Sequence, residues 1–331
     1  MKFRKTLSFA AIFFLLVIAT TNSSTAATKV VPKPIKVVAA KPNFITNLSS
    51  APGDQISAII TAPKMVAYVG TMESSTVAPY TAPQIGGTDG FIAAIDATGV
   101  PIWDLRLGTT QDDIATAVAR DLAGNFWVVG VSAKPPVSQP TPTPEPSANQ
   151  PINVDGVSVD PVTTPTSTLS QMVVWKVSSS GVITATYTYD TYGVILPSDI
   201  SYLQGKFLVT GFVGSLISQQ GFKVELDATG NFSKFVSNKT SLTPNNKVVT
   251  IKAGLGTIKY FPATKVIAGI KSWKPKTALP AIVRYSHFGA ITAAYSLPGK
   301  ILSVSWRVGI GFVALSEIGN NYGITIIDGV A

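Results

Sequence analysis

The chain has 331 residues and no cysteine, which excludes a disulfide framework, a thiolate metal centre and a lipidated cysteine. Its formal net charge of +9 suggests a polyanionic partner, but Lys2, Arg4, Lys5, Lys29, Lys33, Lys36 and Lys41 all precede Asn43, beyond which 19 basic residues face 17 acidic ones. A body so nearly balanced has no stripe for tracking phosphates, so no nucleic-acid partner is expected.

Residues 1–27 read as a secretory signal peptide. Lys2, Arg4 and Lys5 give a basic start, Leu7 to Ala19 an apolar run, and Thr25-Ala26-Ala27 small residues for cleavage. That run spans about 20 Å as a helix, short of the roughly 30 Å hydrocarbon core, so no stable membrane insertion is expected after cleavage. Residues 28–42, TKVVPKPIKVVAAKP, contain no acid and are expected to form a flexible basic tail. The expected location is secreted or at the cell surface.

From Asn43 onward a short apolar strand running into glycine recurs: MVAYVG to Gly70, FWVVG to Gly130, FLVTG to Gly211 and KVIAG to Gly269, with FVALS to Ser316 as a fifth copy. Each is followed, after a variable gap, by a second strand and a turn, as in GFIAAID-ATG and VVWKV-SSSG. Repetition every 50 residues or so, in units of short strands, predicts propeller blades of four antiparallel strands, a (innermost) to d. The predicted strands of blade one are 56–60, 65–72, 90–96 and 100–107. Blade two takes 114–119, 125–132, 171–177 and 182–189; blade three takes 200–203, 206–213, 221–227 and 231–237. Blade four takes 248–259, 265–272, 281–286 and 290–297.

Blade five has strands at 301–306, 311–318 and 323–328 and no outermost strand after them. NFITNLSS (Asn43 to Ser50) resembles NFSKFVSN (Asn231 to Asn238), the predicted outer strand of blade three. The expectation is therefore an all-β, five-bladed β-propeller over 43–331, closed by an N-terminal strand that completes the last blade and hides its edge. Residues 134–170 form a proline- and threonine-rich b–c insertion, expected to be disordered because it buries too little apolar surface to offset its ordering entropy. The long b–c connections share one rim, which is where binding is expected.

Residues 86–132 resemble the bacterial secreted β-propeller repeat (the SBBP type). The matching residues are Asp89, Phe91, Asp96, Gly99, Trp103, Gly108, Asp112, Asp113, Asp121, Gly124, Asn125 and Gly130; the family's lysine is Ala94 here and its tyrosine Trp127. The resemblance covers one blade-length. It implies an extracytoplasmic binding or scaffold module whose motif residues are structural.

Chemistry has few candidates. The sole histidine, His287, falls in a predicted c–d turn without partners, which disfavours histidine-based metal sites and Ser-His-Asp hydrolysis. Asp54, Asp113 and Asp199 stand at or just before predicted inner strands, where a rim of carboxylates would suit Ca²⁺ or, alternatively, a carbohydrate-active hydrolase or lyase at the channel mouth. No other cofactor is expected. Trp273, with Lys274 and Lys276, lies in a predicted b–c loop as an indole among cations, suited to a glycan or protein ligand at the cell surface. The leading expectation is a monomeric, non-enzymatic binding module.

Overall fold

The computed structural model describes residues 34–46, 53–73, 79–134, 152–154, 157–159, 168–191, 194–214, 219–233, 235–238, 248–253, 255–307 and 310–327. The regular structure among them is entirely strand. β1 (Val37–Ala39) and β2 (Phe44–Thr46) come first. Blade one follows as β3 (Gln55–Ala62), β4 (Met65–Met72), β5 (Asp89–Asp96) and β6 (Pro101–Leu107). Blade two has β7 (Asp113–Arg120) and β8 (Phe126–Lys134), then a small hairpin of β9 (Ile152–Val154) and β10 (Val157–Val159), then β11 (Thr168–Val177) and β12 (Ile183–Asp190). Blade three is β13 (Val194–Leu203), β14 (Lys206–Gly214), β15 (Gln219–Asp227) and β16 (Val236–Asn238). Blade four is β17 (Val249–Ala253), β18 (Gly256–Thr264), β19 (Leu279–Tyr285) and β20 (Ile291–Ser296). Blade five is β21 (Lys300–Arg307), β22 (Gly311–Ile318) and β23 (Asn321–Ile327).

Each blade is an antiparallel meander in chain order, and the molecule is an all-β propeller-type stack of such sheets. β2 pairs antiparallel with β23, setting Phe44 opposite Ile324, so the last sheet takes its outer strand from the start of the chain. Apolar clusters fill the junctions between blades one and two, two and three, four and five, and five and one. At the last junction Phe44 lies 6.0 Å from the Tyr68 ring, centroid to centroid.

Three expectations need correcting. In blade four the strand-and-glycine wording misleads: residues 265–272 are a loop with Gly269 at φ 87°, and strand b is Gly256–Thr264. The predicted inner strand 248–259 is in fact a hairpin, Val249 to Ala253 turning into β18. Part of the expected flexible tail is also ordered, because β1 adds to blade four parallel to β20, with Ile35 and Val37 packed against its core. Ile35, Val37 and Val38 make this stretch apolar enough to pair despite its prolines and lysines. Third, the 134–170 insertion carries the β9–β10 hairpin, so it is not wholly unstructured. The signal peptide, residues 28–33 and Asn47–Ser50 lie outside the described residues.

The recurring glycine on strand b has a steric cause. Ile56, Ala115 and Pro197 pair with Gly70, Gly130 and Gly211, and each strand a bulges directly after that pair. A Cβ at Gly130 would collide with the Ile114 carbonyl and come within 2.8 Å of the Trp175 ring; at Gly70 the Gln55 carbonyl and the Phe91 ring do the same. The aromatic of strand c therefore lies over the glycine, and the bulge bends strand a around it. In blade five the exchange is reciprocal: Ser316 takes the position, faces Gly323 on strand c, and donates to its carbonyl at 3.2 Å.

Inner strands leave one edge of N–H groups unpaired, and side chains complete them. The Ile59 and Thr61 amides of β3 donate to Ser303 and Ser305 Oγ of β21 at 3.3 and 3.0 Å, tying blade one to blade five. At the c–d turns, Asp96 Oδ1 accepts from Thr98 and Val100, and Asp227 Oδ1 accepts from Thr229 and Asn231. The Thr98 and Thr229 hydroxyls are the largest influences, and with the backbone donors they hold both carboxyls below their ordinary value of 3.8.

Two outcomes follow. Phe44→Ala should lower unfolding free energy by about 3–5 kcal/mol in urea, since Phe44 is 8% exposed, whereas Ile45→Ala, 58% exposed, should change it by no more than about 0.5 kcal/mol. Because Asp96 and Asp227 titrate lower folded than unfolded, their contribution is complete above about pH 4 and is lost as pH falls through their folded values. The denaturation midpoint should drop on going from about pH 5 to about pH 2.5, and less steeply in an Asp96→Asn/Asp227→Asn variant.

Candidate functional site

The b–c rim of blades one and two is dense with carboxylates, and each shapes a loop. Asp89, fully buried, accepts from the Ile85 and Gly86 amides at 2.9 and 2.8 Å. Asp104 accepts from the Thr81 and Ala82 amides at 2.8 and 2.6 Å, folding the loop back over β6. Asp54, 7% exposed, accepts from the Glu73 amide at 2.7 Å and so joins the start of β3 to the end of β4. Asp112 accepts from the Thr88 amide at 3.2 Å. Asp113 is fully buried and accepts from the Thr109 amide at 2.6 Å, directly after Gly108, whose φ of 154° admits no ordinary side chain. Burial raises the Asp113 carboxyl, bonds from Ser132 and Thr109 oppose the rise, and the Asp89 charge adds to it.

Arg106 supplies the compensating charge. It is 3% exposed, lies 3.7 Å from Asp89 and donates to the Met72 carbonyl at 3.1 Å. Burial pulls its pKa down, while Asp89, Asp54 and Asp104 hold it charged. Sequence reasoning missed Arg106. Its signal was a lone cation in the apolar strand PIWDLRL, followed within a few residues by Asp112 and Asp113.

The three aspartates proposed to share a cation are not brought together. Among the described residues no group of three or more His, Asp or Glu side chains is placed to hold a metal ion. Asp54 and Asp113 serve separate loops, and Asp199 follows the bulge of β13. Asp199 is solvent-exposed, yet reduced hydration raises its carboxyl, with the Ile200 amide opposing. His287 lies exposed in the c–d turn of blade four, its ring 3.5 Å from that of Phe288.

Trp273 lies in the blade-four loop, 265–278, which is longer than the sequence suggested because strand b ends at Thr264. Ile267 and Ile270, 2% and 3% exposed, anchor the loop in a small core with Ala281, Val283 and Ala294. Trp273 is half-buried against that core; its amide donates to the Ile270 carbonyl at 3.2 Å and its Nε1 to Thr264 at 3.3 Å. It is thus a packed edge aromatic and not a free platform. Lys265, Lys271, Lys274 and Lys276 are exposed, and among the described residues none is ion-paired. An apolar underside pinned to the blade with cations outward makes a rigid, positively charged loop.

No protein-family model matches the chain, and no curated protein matches it. Solved structures resemble it in strand arrangement. A subtype N10 neuraminidase-like protein of A/little yellow-shouldered bat/Guatemala/060/2010 is 8% identical, with 88% of this chain and 98% of that one covered, at a TM-score of 0.38. The WD40 β-propeller domain of Doa1 is 9% identical over 86% and 97%, TM-score 0.37. A GH43 endo-arabinanase from Bacillus licheniformis is 9% identical over 71% and 74%, TM-score 0.29. The functional reading rests on this chain's own residues.

Removing Arg106 leaves Asp89, Asp54 and Asp104 facing one another without their cation. Arg106→Met should destabilise the fold by about 3–5 kcal/mol in urea denaturation.

Proposed function

We propose that this chain is an exported, non-enzymatic binding module. In this reading its five sheets complete the ring, β2 closes it, and the blade-four loop is presented to an anionic glycan. The observation that carries the reading is the construction of that loop: buried Ile267 and Ile270 fix its underside, while Lys271, Lys274 and Lys276 stand exposed without carboxylate partners among the described residues. Unneutralised cations on a rigid support bind anionic groups without having to order a loop first. The exposed part of Trp273 offers an apolar edge beside them. The carboxylates of the opposite blades support a binding reading over a hydrolytic one, since hydrogen bonds to loop amides hold Asp54, Asp104 and Asp113 in architectural roles. Export is supported by the basic start and apolar run of residues 1–27.

A glycan array with a parallel turnover assay tests this. Binding to uronic-acid or sulfated glycans should weaken as salt rises and fall at least about tenfold in a Lys271→Ser/Lys274→Ser/Lys276→Ser variant, a loss of about 1.4 kcal/mol. Unchanged binding in that variant removes the blade-four loop from the reading, and released product removes the non-enzymatic part.

A further inference from the structure

The opposite mouth of the propeller carries a pattern that the binding reading does not use. Every hairpin joining strand a to strand b holds a basic residue at the end of the inner strand, in the turn, or at the start of strand b. These are Lys64 in blade one, Arg120 in blade two, Lys206 in blade three, Lys252 in blade four and Arg307 in blade five. All five inner strands run in the same direction, so these positions share one rim. Turn chemistry at these hairpins would be satisfied by Asn, Gly or Asp.

The carboxylates near this rim are otherwise engaged. Asp121 accepts from the Asn125 amide at 2.8 Å, the Asn125 side chain at 2.8 Å and Trp127 Nε1 at 3.0 Å. Glu225 pairs with Lys206 at 3.2 Å. Asp96 and Asp227 cap c–d turns, toward the outside of their blades. Lys64, Arg120, Lys252 and Arg307 have no ion pair among the described residues.

Two of these cations stand out. Arg120 and Arg307 are the last residues of β7 and β21, in the blades on either side of blade one, and both are half-buried. The Arg120 guanidinium lies 5.4 Å above the Phe126 ring and donates through Nη2 to the Gly124 carbonyl at 3.2 Å. That contact fixes its plane. Its Nε–H, though buried, has no partner. β21 is tied to β3 through Ser303 and Ser305, and β7 packs on β3 where Ala115 and Val118 share a cluster with Ala62, so Arg120 and Arg307 end the two inner strands that flank β3. Burial, and next the charge of Arg307, pull the Arg120 pKa down, while Asp121 opposes them. A pair of like charges held on fixed inner strands beside an unsatisfied donor is stabilised by an anion between them.

We propose that Arg120 and Arg307 bind an oxyanion, a phosphate or sulfate group, at the a–b mouth of the channel, with Lys64 and Lys252 widening the field that attracts it. Guanidinium forks match such oxygens in pairs, and a rim of cations draws anions toward them. The group comes either as a free ion or as the end of an anionic polymer; in the second case the ring of lysines adds further contacts.

Calorimetric titration of the full chain with inorganic phosphate, and separately with linear polyphosphate, at constant ionic strength tests this. Wild type should bind phosphate, and Arg307→Gln should weaken binding at least tenfold while leaving the ligand-free melting curve unchanged. Arg120→Gln should do the same to binding, but it also loses the Phe126 and Gly124 contacts, so Arg307→Gln is decisive. Lys223→Gln, an exposed lysine on β15, should leave the affinity unaltered. Polyphosphate binding more tightly than phosphate, with the difference lost in Lys64→Gln/Lys252→Gln, identifies a polymer end as the source; equal affinities identify the free ion. Absence of phosphate binding by wild type at millimolar concentration, or equal affinities for wild type and Arg307→Gln, overturns the site.

Discussion

Sheets set around a common axis are crowded at the centre and splayed at the periphery, and this taper governs the side chains throughout. Three of the five inner strands interleave small residues with larger ones: Ala58 and Ala62 on β3, Ala115, Ala117 and Ala119 on β7, Ser303 and Ser305 on β21. The bulk lies farther out. Trp127 stacks on Phe207 of the next blade at 4.3 Å and on Tyr187 at 5.5 Å, Trp103 meets Phe126 at 5.9 Å, and Tyr189 meets Phe232 at 5.3 Å and Phe235 at 5.6 Å. Rings on the outer strands and small side chains interleaved on β3, β7 and β21 let those sheets pack closely. The glycine opposite each bulge answers the same demand one strand out, where an aromatic of strand c must lie flat against the sheet.

Crowding at the hub also decides which polar groups can stand there. Seryl hydroxyls are small enough to enter between β3 and β21 and still satisfy the free edge of β3. Several carboxylates stand at strand ends or on outer strands and accept from loop amides, as Asp89, Asp104 and Asp113 do, and so order the long connections of blades one and two. Arg106 is the exception that makes the arrangement stable: a buried cation whose stem runs along β6 and whose head meets the loop carboxylates. Of the three aspartates that suggested a metal-binding rim in sequence, Asp54 lies in the field of Arg106, Asp113 clamps its own loop and Asp199 stands apart on β13.

How far the sequence was readable follows from which residues carry a geometric duty. Gly70, Gly130 and Gly211 are required by backbone approach, so their wording marks strand b correctly. Gly269 has the same neighbours in sequence but takes a left-handed conformation in a loop, and the true strand b of blade four, with Ile258 and Tyr260 buried in alternation, contains Pro262 and ends at Thr264. Letters alone do not separate the two uses of glycine; the alternation of Ile258 and Tyr260 would have. β1 escaped notice because prolines and lysines dominate its segment, although the run Ile35, Val37, Val38 has the apolar, β-branched character of a strand. Trp273 was placed in the right loop, but its burial depends on Ile267 and Ile270, which the misassigned strand had removed from that loop.

The charge balance of the body conceals a separation. Beyond Asn43 the formal sum is nearly neutral, which argues against a tracked polyanion, but a sum says nothing of placement. Among the described residues the acids Asp54, Asp89, Asp112 and Asp113 gather on the rim of long connections around blades one and two, and the lysines of the same rim concentrate on blade four. The opposite rim carries a base in every a–b hairpin; Glu225 pairs with one of them, Lys206, and Asp121 is held by Asn125 and Trp127. A near-neutral propeller can thus carry distinct cationic surfaces at its two ends.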